Sequence, residues 1–206
     1  METMRLSATD VDRLRAFRAD EDADLAAFLD EMRRKSEPSP AMMAGVAFHS
    51  ALEKIGDGDH ATLTARGYTF VIDCDAALDV PPVRELKTTQ EYVVAGCRVT
   101  MVAKVDAVHG KRIDDHKLTG WYDPERFLSS YQWRLYLDAF GADEFRWNVF
   151  EGAETRPHSR HYAIKALHRL SAYRYPSMRE DVEHEIGLFV EFARKWLPER
   201  IVRDAA

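Results

Sequence analysis

The chain has 206 residues and a formal net charge of -6, from 29 Lys and Arg against 35 Asp and Glu. Hydrophobic residues make up 46% and charged residues 31%, which excludes wholesale disorder and allows one domain with a real core. No apolar run approaches the ~18–20 residues of a membrane span, the N-terminus lacks a secretory h-region, and Cys74 and Cys97 cannot build a disulfide framework. A soluble protein of a reducing cytoplasm is expected, and the acidic total argues against nucleic acid as a partner unless the charge is unevenly spread.

Residues 1–40 read as helical. Ser7 or Thr9 can cap a helix carrying Val11, Leu14 and Phe17, and a second stretch carries Leu25, Phe28, Leu29 and Met32. The acidic cluster Asp20, Glu21, Asp22 and Asp24 belongs between them or in a first turn, and Ser36–Pro40 is a breaker. A helix follows from Met42 to Ile55, ended by Gly56-Asp57-Gly58. Tyr68–Asp73, Tyr92–Val94, Cys97–Val108 and Arg112–Thr119 read as strands, with Pro81-Pro82 in a loop. Leu128–Phe140 reads as a helix with Ser129 and Ser130 as caps and Gly141 as its stop. Phe145–Phe150 and Tyr162–Leu167 are two further strands. Met178–Leu197 places apolar residues at steps of three and four and stops at Pro198. The order predicts an α/β or α+β fold with a small mixed sheet.

The chemistry gathers between Arg98 and Lys117. His109-Gly110 marks a hairpin turn. With a two-residue loop Asp106 faces Ile113; with a His109–Arg112 loop it faces Asp115. Either even-length loop puts Asp106, Asp115 and Lys117 on one face and turns Asp114 and His116 to the other. Two such carboxylates stand roughly 5–8 Å apart at Cβ. A hard divalent ion with oxygen bonds of about 2.0–2.1 Å can sit between them. Lys117 could then orient or deprotonate water at the ion, or neutralise charge on a phosphate. A D-x-K triplet alone is weak, because Asp and Lys alternate on many solvated strands.

Other segments add to it. Gly45, His49 and Glu53 recur every four residues on one helix face. Gly45 would let that face approach another backbone closely. His49 could ligate the same ion, and Glu53 could ligate it or bind its water. Gln132 and Tyr136, also at i and i+4, form a polar ledge suited to contacting phosphate or the Lys117 region.

The ordered set Gly45-x3-His49-x2-Leu52-Glu53, Asp106, Ile113-Asp-Asp115-His-Lys117 and Gln132-x3-Tyr136 resembles the RecB-like branch of the PD-(D/E)xK nuclease superfamily. It looks most like the small stand-alone phage-type exonucleases of that branch, over about residues 40–140. The resemblance implies a restriction-endonuclease-like core, a mixed central sheet flanked by helices. Residues 1–206 would form one nuclease domain: an N-terminal helical region (1–40), a catalytic core (41–150), and a basic segment with a C-terminal helix (151–206). It implies His49, Asp106, Asp115 and the backbone carbonyl of His116 as ligands of Mg²⁺, with Mn²⁺ as a substitute and Glu53 as a further candidate. Lys117 matches the catalytic lysine, and Gln132 and Tyr136 match the family's QxxxY helix. Asp114 adjoins Asp115, so a one-residue shift of register would swap their roles. The cysteines that hold an iron–sulfur cluster in some relatives are missing, so no such cluster is expected.

The charge is indeed uneven. From Arg156 to Arg179 there is no Asp or Glu, while Arg156, Arg160, Lys165, Arg169 and Arg174 alternate with aromatic residues. This is the footprint of a phosphate-tracking surface. The expectation is a metal-dependent DNA exonuclease of phage or bacterial recombination or repair, working in the bacterial cytoplasm. An endonuclease of the same superfamily and a non-catalytic nucleic-acid-binding module are the alternatives. Phage relatives imply a single-strand annealing protein as a partner. The oligomeric state is left open, and no membrane association is expected.

Overall fold

The computed structural model describes residues 1–55, 61–74, 81 and 83–203. Among them, nine strands form one mixed sheet with helices on both faces, the architecture the sequence predicts. The strands are β1 (Glu2–Ser7), β2 (Thr62–Ala65), β3 (Tyr68–Ile72), β4 (Val83–Val94), β5 (Cys97–His109), β6 (Arg112–Thr119), β7 (Glu144–Glu154), β8 (His161–Tyr173) and β9 (Ile201–Arg203). The helices are α1 (Ala8–Ala19), α2 (Leu25–Met32), α3 (Pro40–Leu52), α4 (Pro124–Ser129), α5 (Gln132–Phe140) and α6 (Met178–Trp196). No helix of the described residues is long and apolar enough to cross a membrane.

The order across the sheet is β2-β3-β8-β7-β6-β5-β1-β9, with β4 on β5. The β1–β5, β3–β8 and β6–β7 pairs are parallel and the rest antiparallel. One detail positions the site. β4 fills one edge of β5 from Val83↔Val108 to Val94↔Cys97. β1 and β6 must therefore share the other edge. β1 takes Cys97–Val102 and β6 takes Ala107–His109. Between them β5 has no strand partner on that edge, and Asp106 lies in this fork.

Two cores flank the sheet. The larger packs Val11 and Leu14 of α1, Leu135 and Leu137 of α5, and Ile186, Phe189 and Val190 of α6 against β1, β4, β5 and β7. Phe17, Phe28 and Phe192 join α1, α2 and α6, with Phe17 stacked on Phe28 at 4.3 Å. The smaller core sets Ala47, Phe48 and Ala51 of α3 against Phe70, Phe150 and Ile164. Gly152 is required at the β7 irregularity between Glu151 and Gly152. A Cβ there would lie 2.4 Å from the Ala163 carbonyl oxygen.

Several elements differ from expectation. Residues 2–7 form a strand, so the N-terminal region is not all helical. Ser7 is the α1 N-cap in a capping box with Asp10. Tyr92–Val94 is the end of a 12-residue strand. The expected Leu128–Phe140 helix is two helices, broken at Ser130-Tyr131. There Asp12 of α1 accepts from the Tyr131 N–H at 2.5 Å and the Ser130 hydroxyl at 3.2 Å, capping α5 from another element. The α3 helix ends at Leu52. Gly56-Asp57-Gly58, expected to stop it, and Pro82 lie outside the described residues.

Candidate active site at the strand fork

The β5–β6 turn is Gly110-Lys111, with Gly110 at φ 60°. Pairing of Val108 with Ile113 and Ala107 with Asp114 is the register of the longer-loop alternative, and it sets Asp106 opposite Asp115 as the strands part. In the fork, Asp106 Oδ2 accepts from the His116 backbone N–H at 2.7 Å. A carboxylate thus stands in for the missing ladder partner.

Asp114 and Asp115 separate by strand alternation. Asp114 is fully buried on the α3 side of the sheet. It accepts from Arg146 Nε at 2.5 Å, Arg112 Nε at 3.0 Å and Asn148 Nδ2 at 3.1 Å. Asp115 turns the other way to Lys117, whose Nζ donates to its Oδ1 at 3.1 Å. Asp115 Oδ2 is buried and takes no hydrogen bond of good geometry, although Lys117 Nζ lies 3.0 Å away.

α3 brings His49 to the same place, with Nδ1 3.3 Å from Asp106 Oδ1. Arg84 secures the end of that helix by donating to the carbonyls of Leu52, Glu53 and Ile55. Glu53 is exposed and lines a small recess with His49, Asp106 and His116. The His116 ring is buried and neither ring nitrogen has a hydrogen-bond partner. Gly45 shares the His49 face, but a Cβ there would meet nothing within 4 Å. The expected close backbone approach is absent, and the space beside His49 is open.

On the opposite side, Gln132 Nε2 donates to Tyr136 Oη at 2.9 Å and to Thr9 Oγ1 at 3.2 Å. The ledge is therefore tied to α1. Beside it opens a cleft of about 840 Å³, lined by Lys117, Gln132, Asp12, Arg15, Arg18 and Arg126 among others.

The electrostatics follow from burial and pairing. Burial pushes the Asp106 carboxyl up, but the His49 ring and the Lys117 amine outweigh it and bring it down to about 2. Burial raises Asp115, the Asp106 charge adds to this, and Lys117 only partly offsets it. Lys117 is held above the usual lysine range: burial opposes its charge, but Asp115 and Asp106 favour it. His49 rises because Asp106 overcomes its burial, while burial takes His116 down to about 4.

The donor set fits a hard divalent ion in part. Neighbouring corners of an octahedron with bonds of about 2.1 Å stand about 3.0 Å apart. His49 Nδ1 and Asp106 Oδ1, at 3.3 Å, come close to that spacing. Asp115 has a buried oxygen lacking a hydrogen bond. Among the described residues no three His, Cys, Asp or Glu side chains converge as a finished cage. The Lys117 amine is the cation that Asp115 faces.

The residues of the expected basic strip do not face the cleft at Lys117. Arg156, Arg160, Lys165 and Arg169 are exposed on β8 and the turn before it. Arg174 donates to the carbonyls of Ala142 and Leu137, tying down the C-terminal end of α5. None of the five lines the cleft at Lys117. The cleft arginines were missed. For Arg15 and Arg18 a signal existed: with Asp12 they recur every three residues on the polar side of α1. Arg126 gave none.

No protein-family model and no curated protein matches the chain. Solved structures do. SSO0001 aligns with a TM-score of 0.51 and 14% identity, over 91% of this chain and 76% of its own. This likeness is one of fold. An alkaline exonuclease from Laribacter hongkongensis, LHK-Exo, aligns with a TM-score of 0.46 and 11% identity, over 92% of this chain and 88% of its own. The same enzyme in complex with dAMP aligns with a TM-score of 0.45 and 12% identity, over 92% and 87%.

Proposed function

We propose that the protein is a metal-dependent deoxyribonuclease acting as an exonuclease. The observation that carries this reading is the strand fork. Asp106, His49, Asp115 and Lys117 meet there from three elements, at the end of an arginine-lined cleft. Asp106, His49 and Asp115, with the His116 carbonyl, would hold Mg²⁺ or Mn²⁺. Such an ion supplies Lewis acidity at a phosphoryl oxygen and lowers the pKa of water.

The chain's own groups do the rest. The Lys117 ammonium offsets the negative charge that grows on the phosphate during in-line attack by water. Gln132 spends both amide protons on Thr9 and Tyr136 and so orients the Tyr136 hydroxyl, which keeps its own proton to donate to the same phosphate. Arg15, Arg18 and Arg126 attract the backbone into the cleft. Placement in phage or bacterial recombination rests on the motif resemblance.

The test is digestion of linear and covalently closed DNA with Mg²⁺, Mn²⁺ or EDTA, using wild type and Lys117→Ala. Only linear DNA should be degraded, only with metal, and at least 10²-fold more slowly by the variant. Nicking of circles would make the protein an endonuclease, and binding without cleavage would make it a binding module. Mn²⁺ titration calorimetry provides a second readout, with binding lost in Asp106→Ala.

A further inference from the structure

α3 buries one side and leaves another without a partner. Ala44, Ala47, Phe48 and Ala51 enter the protein, whereas Met42, Met43 and Val46 are 53%, 43% and 52% exposed. A surface helix normally shows water a polar face. Here the three side chains line a groove of about 410 Å³ with Pro38 and Tyr68, and Arg66 and Arg160 form its rim. That volume is in the range of ligand pockets, roughly 300–1,000 Å³. Unbranched, polarisable methionines suit a surface that must fit an irregular apolar partner.

Among the described residues no Asp or Glu lines the groove and neither guanidinium forms an ion pair, although the Arg160 backbone N–H donates to Glu154 Oε1 at 2.6 Å. Arg66 and Arg160 sit at φ 52° and 57°. Gly or Asn fills such left-handed positions at less strain, so turn geometry does not call for arginine at either.

An apolar floor under a cationic rim fits an anionic, amphipathic occupant. Single-stranded nucleic acid would stack its bases on open aromatic faces. Among the described residues Tyr68 is the only aromatic one lining the groove. Its ring stacks with Phe70 at 6.2 Å and carries the Arg160 guanidinium at 5.6 Å. Part of the ring is thus already covered from within the protein. We propose that this groove docks a segment of a partner protein in which bulky apolar side chains stand next to carboxylates. The apolar side chains would rest on Met42, Met43 and Val46, and the carboxylates would pair with Arg66 and Arg160. This site is separate from the strand fork and holds whether or not the protein cleaves DNA.

The test is panning of a randomised peptide library on the full chain, then fluorescence anisotropy with the best enriched peptide. Enriched sequences should join bulky apolar residues to Asp or Glu. Affinity should fall at least tenfold in Met43→Lys and, independently, in Arg160→Glu, both with unchanged circular dichroism. No enrichment, or binding indifferent to both substitutions, would overturn the proposal. So would binding of a labelled oligothymidylate that Met43→Lys abolishes, which would make the groove a nucleic-acid surface. Self-association in sedimentation that Met43→Lys abolishes would assign it to a second copy and equally overturn the proposal.

Discussion

Two neighbouring aspartates lead opposite lives. Asp114 is held by two arginines and an asparagine in the interior. Breaking a buried ion pair from one side leaves charge uncompensated, at a cost of about 3–5 kcal/mol. Asp114→Asn should therefore lower the melting temperature by on the order of 10 °C. Asp115 is buried with its pKa raised, so its charge opposes folding. Asp115→Asn relieves that cost but leaves the Lys117 ammonium with Asp106 alone, so it should lower the melting temperature by less than Asp114→Asn while abolishing cleavage. Calorimetric melting and a digestion assay on both variants check the pair. The reverse pattern would mean that the register is shifted by one. A third aspartate, away from the fork, contributes to acid stability. Burial works to raise Asp10, but the Arg200 guanidinium and the Ser7 cap win and lower it. A lowered folded-state pKa gives stability that is present above the unfolded value, about 3.9, and is lost as pH falls through the folded one. Melting temperature against pH should thus drop less steeply below pH 4 in Asp10→Asn than in wild type.

At the scale of elements, α3 carries an interior glycine that no packing demands. A Cβ at Gly45 would enter open space. Gly45→Ala should then stabilise the protein by about 0.5–1 kcal/mol through helix propensity. If a DNA backbone uses the open space beside His49, the same variant should raise KM. Denaturant melts and steady-state kinetics separate the two effects. The elements also explain what the sequence could reveal. Helices α1, α2, α3 and α6 have apolar spacing and local caps or stops, and all four were read. The β5–β6 hairpin is legible because side chains must alternate, so the sequence alone groups Asp106, Asp115 and Lys117. β4 buries only Tyr92 and is drawn into the sheet by its hairpin with β5. β1 has only Met4 and Leu6 buried and β9 none, so their strand character comes from pairing with distant strands. The break between α4 and α5 was hidden for the same reason: Asp12, far away in the chain, draws off the Tyr131 N–H. The cleft escaped notice because its arginines come from α1 and α4, while the densest positive stretch of sequence lies on β8.

For the whole molecule, a net charge of -6 conceals a local field. Long-range repulsion of DNA fades within a Debye length of about 8 Å at physiological salt, so on the proposed function the cleft decides. Arg18→Ala and Arg126→Ala should each reduce the salt slope of DNA binding by about one. Arg156→Ala and Lys165→Ala should change it little. Anisotropy titrations over a range of KCl concentrations check this, and the opposite ranking would return the DNA path to β8. The sheet also joins distant parts of the chain. β1 pairs with β5 on one side and with β9 on the other, and Thr3 Oγ1 donates to the Val202 carbonyl across 199 residues. Contacts of such separation form slowly, because loop closure precedes any gain from pairing. β1 is also the strand that closes one arm of the fork, so the site matures late. In refolding, helical circular dichroism should return before Mn²⁺ binding does. A ribosome-bound chain still short of β9 would lack the clamp on β1, and if the proposed nuclease reading holds, a half-made molecule would be harmless to the nucleic acid around it.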